Sequence, residues 1–308
     1  MDNLHEIVDK IVTLSLQAEA GKGLEPISKI LLNVYEQISQ AAKSINGLSG
    51  LKTGYGNLDR FIMGFNCTDL IILASRPGMG KTSLALNIAM NVVKTSGKAT
   101  AFFASGISNE QLVLRLLSSE SSINVCRLRE GKLTLDEWRC LADAAKSVSE
   151  VNLLISDDTM PSIVDIVSQC CRIQNLALVI IDCIQDVQSI YSVDSYTSAK
   201  RTVLVSGIIS AIKAISKELR VPILCISQLP QTVEMRKNKR PLMTDFRHSG
   251  SLAKEADVIL GLYRDNYYNC ESNNSNIAEC IILKNRWGET GTVELKWEPE
   301  CLKYSSLD

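Results

Sequence analysis

Apolar residues recur at two different periods along the chain, and the change comes near residue 51. Before it, Leu4, Ile7, Val8, Ile11 and Val12 stand three and four apart, the spacing of one face of an amphipathic helix. Gly21-Lys22-Gly23 breaks that helix. Pro26 suits the first turn of a second one, whose apolar stripe is Ile27, Ile30, Leu31, Val34 and Ile38 and which Gly47 and Gly50 end. A stripe on a short helix ordinarily packs on its own domain. Because a complete domain follows here, docking on a neighbouring subunit is the alternative.

From Leu51 onward, short continuous apolar runs alternate with helical stretches, which predicts an α/β fold with a mainly parallel sheet flanked by helices. The predicted strands cover residues 70–74, 100–104, 153–156, 176–182 and 222–227, and then 258–263, 279–284 and 292–297. The last two form an antiparallel tail around Gly288 and Gly291. Helices are predicted over 82–95, 109–119, 135–148 and 203–219. The Asn-rich segment 265–275 reads as a surface loop. Two parts follow: a helical arm over 1–50 and an α/β domain over 51–308.

Composition narrows the classes. With 45% hydrophobic residues in 308, the chain can fill a full core. Its 33 basic and 34 acidic side chains leave a net charge of −1, which excludes coating nucleic acid by bulk positive charge but not a local basic channel. The longest apolar runs, such as 176–181, fall far short of the roughly 20 residues that span a bilayer. The acidic start, Met1-Asp2-Asn3-Leu4-His5-Glu6, is unlike a signal peptide. Ten cysteines include no C-x-x-C pair, and most sit in apolar runs, so reduced buried thiols and a cytoplasmic location are expected.

The chemistry starts where the apolar run 70–74 enters Ser75-Arg76-Pro77-Gly78-Met79-Gly80-Lys81-Thr82-Ser83 and a helical pattern follows. A strand, a glycine loop and a helix start in that order make a phosphate-binding loop, whose amides and helix N-terminus surround the phosphates. Lys81 then reaches the β and γ oxygens of ATP, and Thr82 offers its hydroxyl to Mg²⁺. Ser75 stands where the motif has its first glycine. Asp182 ends the apolar run 178–181, at a strand's C-terminal edge where α/β sheets gather ligands, and is the candidate that holds Mg²⁺ through water.

Together these strings resemble the motor domain of DnaB-type replicative helicases, a RecA-like P-loop ATPase. The anchors are residues 75–82, Ser227-Gln228-Leu229, Lys239-Arg240-Pro241, Asp245-Phe246-Arg247-His248-Ser249-Gly250, Ala256-Asp257, Leu262-Tyr263-Arg264-Asp265 and Lys284-Asn285-Arg286. The resemblance covers the chain from about Pro26 to its end. It implies that Gln228 senses the γ-phosphate, that Lys284 and Arg286 reach the ATP of the adjacent subunit as a lysine and arginine finger, and that Arg115 lies near the nucleotide. Arginine fingers elsewhere contribute about 10³–10⁵ in rate. Arg247, His248 and Gly250 match a loop that holds single-stranded DNA by its phosphates, with His248 in place of the family's glutamate. Residues 195–202, with Lys200 and Arg201, are a second candidate DNA loop. The cluster Arg236, Lys237, Lys239 and Arg240 reads equally as DNA-binding or as a solvated face.

Two departures shape the expected function. Gly106 stands where the family carries its catalytic glutamate, and a lost general base costs about 10²–10⁴ in rate. Glu110 is near in sequence, one helical turn further on. Only residues 1–23 precede the second helix, so the family's N-terminal collar domain is expected to be missing while the linker helix is kept. One reading is an ATP-driven 5′→3′ DNA helicase working on single-stranded DNA in replication, as a homo-oligomeric ring, a hexamer. The other is a degenerate paralogue that binds nucleotide and DNA or full-length helicase subunits with little turnover. A recombinase-like or loader ATPase of the same core fits the strings around Arg247 and Arg286 less well.

Overall fold

The computed structural model describes residues 24, 26–43, 50–187, 198–269 and 276–307. Its helices in chain order are α1 (Ile27–Lys43), α2 (Gly56–Ile62), α3 (Lys81–Ser96), α4 (Asn109–Ser121), α5 (Val125–Glu130), α6 (Leu135–Ser149), α7 (Ile163–Cys170), α8 (Ser198–Leu219) and α9 (Gly250–Glu255). The strands are β1 (Leu70–Ser75), β2 (Ala99–Ala104), β3 (Leu153–Ser156), β4 (Leu176–Asp182), β5 (Ile223–Gln228), β6 (Val258–Tyr263), β7 (Ile277–Asn285), β8 (Gly291–Glu298) and β9 (Lys303–Ser306). The chain divides into two units, Met1–Ser49 and Gly50–Asp308. In the first, α1 carries the predicted stripe, and Ile27, Ile30, Leu31, Val34 and Ile38 are exposed. The helix predicted over 4–12 lies outside the described residues.

In the second unit the strands form one nine-stranded sheet in the order β3-β2-β4-β5-β1-β6-β7-β8-β9. Pairing is parallel from β3 to β6 and antiparallel from β6 to β9. β1, β2 and β6 are buried along their whole length, as strands covered on both faces must be. Along β1 the side chains alternate between two cores. Ile71 and Leu73 pack with Leu84 and Ile88 of α3 and Leu112 and Leu116 of α4. Leu70, Ile72 and Ala74 face the other way, with Ile166 of α7, Ile209 and Ile212 of α8 and Leu252 of α9. On β8 only one face is covered: Val293, Leu295 and Trp297 are buried between exposed Thr292, Glu294 and Lys296.

Several boundaries differ from the sequence reading. α8 begins at Ser198 rather than at 203, so Lys200 and Arg201 lie in its first turn and not on a loop. No glycine or proline interrupts 198–206 to stop the helix earlier. Arg247 and His248 likewise lie in a tight helical turn, Met243–Ser249, and Gly250 opens α9. Asp245 supports that turn by accepting from the Leu242 N–H at 2.8 Å and from Arg236. The side chains of Lys200, Arg201, Arg247 and His248 are outside the described set. The expected surface loop at 265–275 contains a helical turn, Asp265–Tyr267, and its residues 270–275 lie outside the described set. Gln228 closes β5 opposite Ser75 instead of following the strand.

Candidate functional site

β1 and β4 run parallel with β5 between them, so Ser75 and Asp182 end their strands on the same edge of the sheet. The loop after β1 turns through two left-handed residues, Gly78 (φ +79°) and Gly80 (φ +94°), before α3 begins at Lys81. Only glycine fits there. A Cβ at Gly78 would come within 2.8 Å of the Tyr267 ring, and one at Gly80 would strike the Tyr304 hydroxyl. Donors behind the loop occupy its carbonyls: Arg264 Nη2 donates to Gly78 O at 2.6 Å and Tyr304 Oη to Met79 O at 3.0 Å. What the loop presents to an anion is then amide N–H and the start of a 16-residue helix.

Lys81 folds back over this loop. Its Nζ donates to Ser75 O (3.1 Å), Ser75 Oγ (3.2 Å) and Arg76 O (3.2 Å). Burial lowers its pKa to about 8, and the nearby Asp182 opposes that shift. Thr82 Oγ1 donates to Asp182 Oδ2 at 2.6 Å, closing the distance between the loop and the end of β4. Burial raises the Asp182 carboxyl, opposed by the Thr82 hydrogen bond and by the charges of Lys81 and Arg115.

These groups line a cavity of about 440 Å³, within the usual range for a small-molecule site. Of the sequence candidates, Pro77, Gly78, Gly80, Lys81, Thr82, Ser83, Arg115, Asp182, Gln228 and Gly106 line it. Three loop candidates do not. Ser75 is buried beneath the loop, with its Oγ donating to Arg76 O; Met79 is buried; and Arg76 turns away to pair with Glu234 (2.9 Å) and the Leu229 carbonyl (2.7 Å). Glu110 also lies outside it, exposed in the first turn of α4, where the Ser108 hydroxyl and its own helix amide lower its carboxyl.

Lys284 and Arg286 stand apart from this cavity. The Lys284 ammonium donates to the carbonyls of Ala253 (2.9 Å), Lys254 (3.1 Å) and Ala256 (2.6 Å), capping the end of α9. Arg286 Nη1 pairs with Asp257 Oδ1 at 2.6 Å, and its side chain is 63% exposed.

Six lining residues are not among the sequence candidates: Ser105, Ile107, Cys183, Asp186, Trp297 and Leu302. The first four follow the C-terminal ends of β2 and β4, a position that itself marks candidates in a parallel sheet. Trp297 and Leu302 arrive from the β8–β9 hairpin, whose Tyr304 ring packs on Trp297 at 4.4 Å between centroids. No local motif announces those two.

Residues 50–306 match the family model of the DnaB-like helicase C-terminal domain. The replicative DNA helicase DnaB of Geobacillus stearothermophilus is 39% identical over 308 residues, which cover 99% of this chain and 67% of that protein. The replicative DNA helicase DnaC of Bacillus subtilis is 37% identical over 311 residues, covering 100% of this chain and 68% of that protein. Among solved structures, a DnaB-like replicative helicase described with its primase interactions superposes with a TM-score of 0.83 at 30% identity, covering 100% of this chain and 75% of that one. Fold, phosphate loop and sequence agree: the chain belongs to the DnaB-like helicase C-terminal domain family.

Proposed function

We propose that this chain is the motor of a replicative DNA helicase, which binds Mg–ATP in the cavity at the ends of β1 and β4 and uses its hydrolysis to move along single-stranded DNA and unwind duplex. The observation that carries this reading is the contact of Thr82 with Asp182 beside Lys81, inside a loop that only glycines at 78 and 80 can form. The residues suit the ligand. Lys81 now rests on loop carbonyls that a phosphate oxygen would replace, and the loop's own carbonyls at 78 and 79 are already engaged. Thr82 and Asp182 would hold Mg²⁺, which when bound would neutralise charge on the phosphate oxygens. Gln228, at the end of β5, senses the γ-phosphate.

Lys284 and Arg286 act on the nucleotide of an adjacent copy in a ring, a hexamer. Arg286, lying outside its own cavity and largely exposed, is free to do so once it leaves Asp257. The exposed stripe on α1 docks each subunit on the next. Arg247, His248 and Gly250, with Lys200 and Arg201, hold DNA phosphates in the channel, and the protein works in the cytoplasm. Among the described residues no helix is long and apolar enough to cross a membrane.

A second reading rests on Gly106, a cavity residue with no acid or base group: a nucleotide-binding paralogue that joins helicase subunits and turns over little ATP. ATP turnover by the purified protein, with and without single-stranded DNA, separates the two. The motor reading predicts turnover that DNA stimulates and that Lys81→Ala abolishes. Tight nucleotide binding with no turnover in either condition would favour the paralogue.

A further inference from the structure

Asp186 is a carboxylate in the nucleotide cavity that the phosphate-loop chemistry leaves without a task. The sheet puts it there. β2 and β4 are neighbours, paired as far as Ala104 and Asp182, so the residues just past each strand face one another across the cavity edge. From β2 come Ser105 and Gly106; from β4 comes the turn Ile184–Asp186. Ser105 Oγ bridges the two, donating to Asp186 Oδ2 at 2.7 Å, and the Cys183 thiol donates to the same oxygen at 3.0 Å. Two donors thus fix the Asp186 carboxylate in the cavity that Gly106, the chain neighbour of Ser105, also lines.

Its turn is also tied to β5. Gln185 Nε2 donates to Ser227 Oγ at 2.9 Å and to Gln228 O at 3.3 Å, and the Gln228 N–H returns a bond to Gln185 Oε1 at 3.3 Å. Gln228 is therefore hydrogen-bonded to the segment that carries Asp186. The other acids are taken or out of reach: Asp182, beside Thr82, is the carboxylate assigned to Mg²⁺, and Glu110 lies outside the cavity.

We infer that Asp186 is the catalytic carboxylate of this chain, doing from the end of β4 what a glutamate at position 106 would do from the end of β2. The inference rests on the ATPase reading above. Asp186 accepts a proton from the attacking water while that water's oxygen bonds to the γ-phosphorus. The bond from phosphorus to the bridging oxygen breaks with its electron pair leaving on ADP, and inorganic phosphate is the other product. Ser105 and Cys183 position the carboxylate and take no proton.

Asp186→Asn tests this, since an amide oxygen can still accept from Ser105 and keep the turn in place. Turnover of ATP and the dissociation constant of a fluorescent ATP analogue with Mg²⁺ are measured together on wild type, Asp186→Asn, Gly106→Glu and the double variant. Turnover should fall about 10²–10⁴-fold in Asp186→Asn, the cost of a lost general base, with nucleotide affinity held within about twofold. Gly106→Glu should restore it in the double variant, as nothing lies within 4 Å of the Cβ position at Gly106.

Wild-type turnover left unchanged by Asp186→Asn would overturn the inference and leave the motor reading standing. Loss of Mg–nucleotide affinity, with turnover of the bound complex unchanged, would also overturn it, in favour of a metal-holding Asp186. A wild type that is inactive while Gly106→Glu is active would do the same. If wild type and Gly106→Glu both fail to bind nucleotide, the motor reading itself falls.

Discussion

Thr82 and Asp182 lie 100 positions apart in sequence and one hydrogen bond apart in space, with Lys81 beside them, and each is placed by a strand end or a helix start. These three are legible in the sequence because their chemistry depends on local context: a glycine loop between a strand and a helix, and an acid closing an apolar run. Asp186 is not, because an aspartate four residues past a strand is ordinarily only a turn former, and its neighbours Ser105 and Cys183 are contacts made through the sheet. Arg76 misleads for the opposite reason: its motif position is right, but Glu234 offers a closer partner than the cavity does. At this scale the loop glycines make a sharp prediction. Gly80→Ala forces a left-handed alanine against Tyr304, and should weaken nucleotide binding at least tenfold while the far-ultraviolet circular dichroism is kept. Unchanged affinity would mean the loop does not hold phosphate by its backbone.

Asp257 does at the level of elements what Asp182 does at the site. Its carboxylate accepts from the Leu70 N–H at the start of β1 (2.8 Å), from Lys213 of α8 and from Arg286 just past β7 (2.6 Å). Burial alone would raise its pKa, but those three donors outweigh burial and lower it. Protonation therefore favours the unfolded chain. The stability this group contributes is complete above about pH 4, the unfolded carboxyl range, and is lost as pH falls through the lower folded pKa. Asp257→Asn should cost about 3–5 kcal/mol, because it leaves Lys213 buried without its counter-charge. Urea unfolding at neutral pH measures that loss. Repeated toward pH 2, the difference between wild type and variant should shrink; a constant difference would place the contribution elsewhere.

The elements themselves are legible in proportion to their length and burial. The strands over 176–182 and 258–263 coincide with β4 and β6, since a strand covered on both faces leaves an unbroken apolar run. β3 also coincides with the strand read over 153–156, although it is a partly exposed strand at the sheet edge. α2, α5 and α9, with seven, six and six residues, are too short to show a helical period. β9, Lys303-Tyr304-Ser305-Ser306, is mostly polar and is held in the sheet by pairing with β8, which the sequence does not display. That omission matters, because β9 carries the tyrosine that backs the phosphate loop.

For the whole molecule, the near-balance of 33 basic and 34 acidic side chains is compatible with a subunit that lines a channel with few cations rather than coating DNA. The relatives extend further: the chain spans 67% of the length of the Geobacillus stearothermophilus protein. The same sheet that gathers the nucleotide groups at one edge holds Lys284 and Arg286 away from them, an arrangement that makes sense when a neighbouring copy completes the site. On that account Arg286→Ala should lower DNA-stimulated turnover sharply while the affinity of a dilute, unassembled chain for nucleotide stays within about twofold, as the finger role predicts. Equal turnover in the variant would assign Arg286 to Asp257 alone.

The most direct test of the motor itself is unwinding of a fluorescently labelled forked DNA duplex by the purified chain, with ATP and Mg²⁺, beside Lys81→Ala. Strand separation that requires ATP and disappears in Lys81→Ala is the predicted result; nucleotide bound at the phosphate loop with no strand separation at any protein concentration would contradict it.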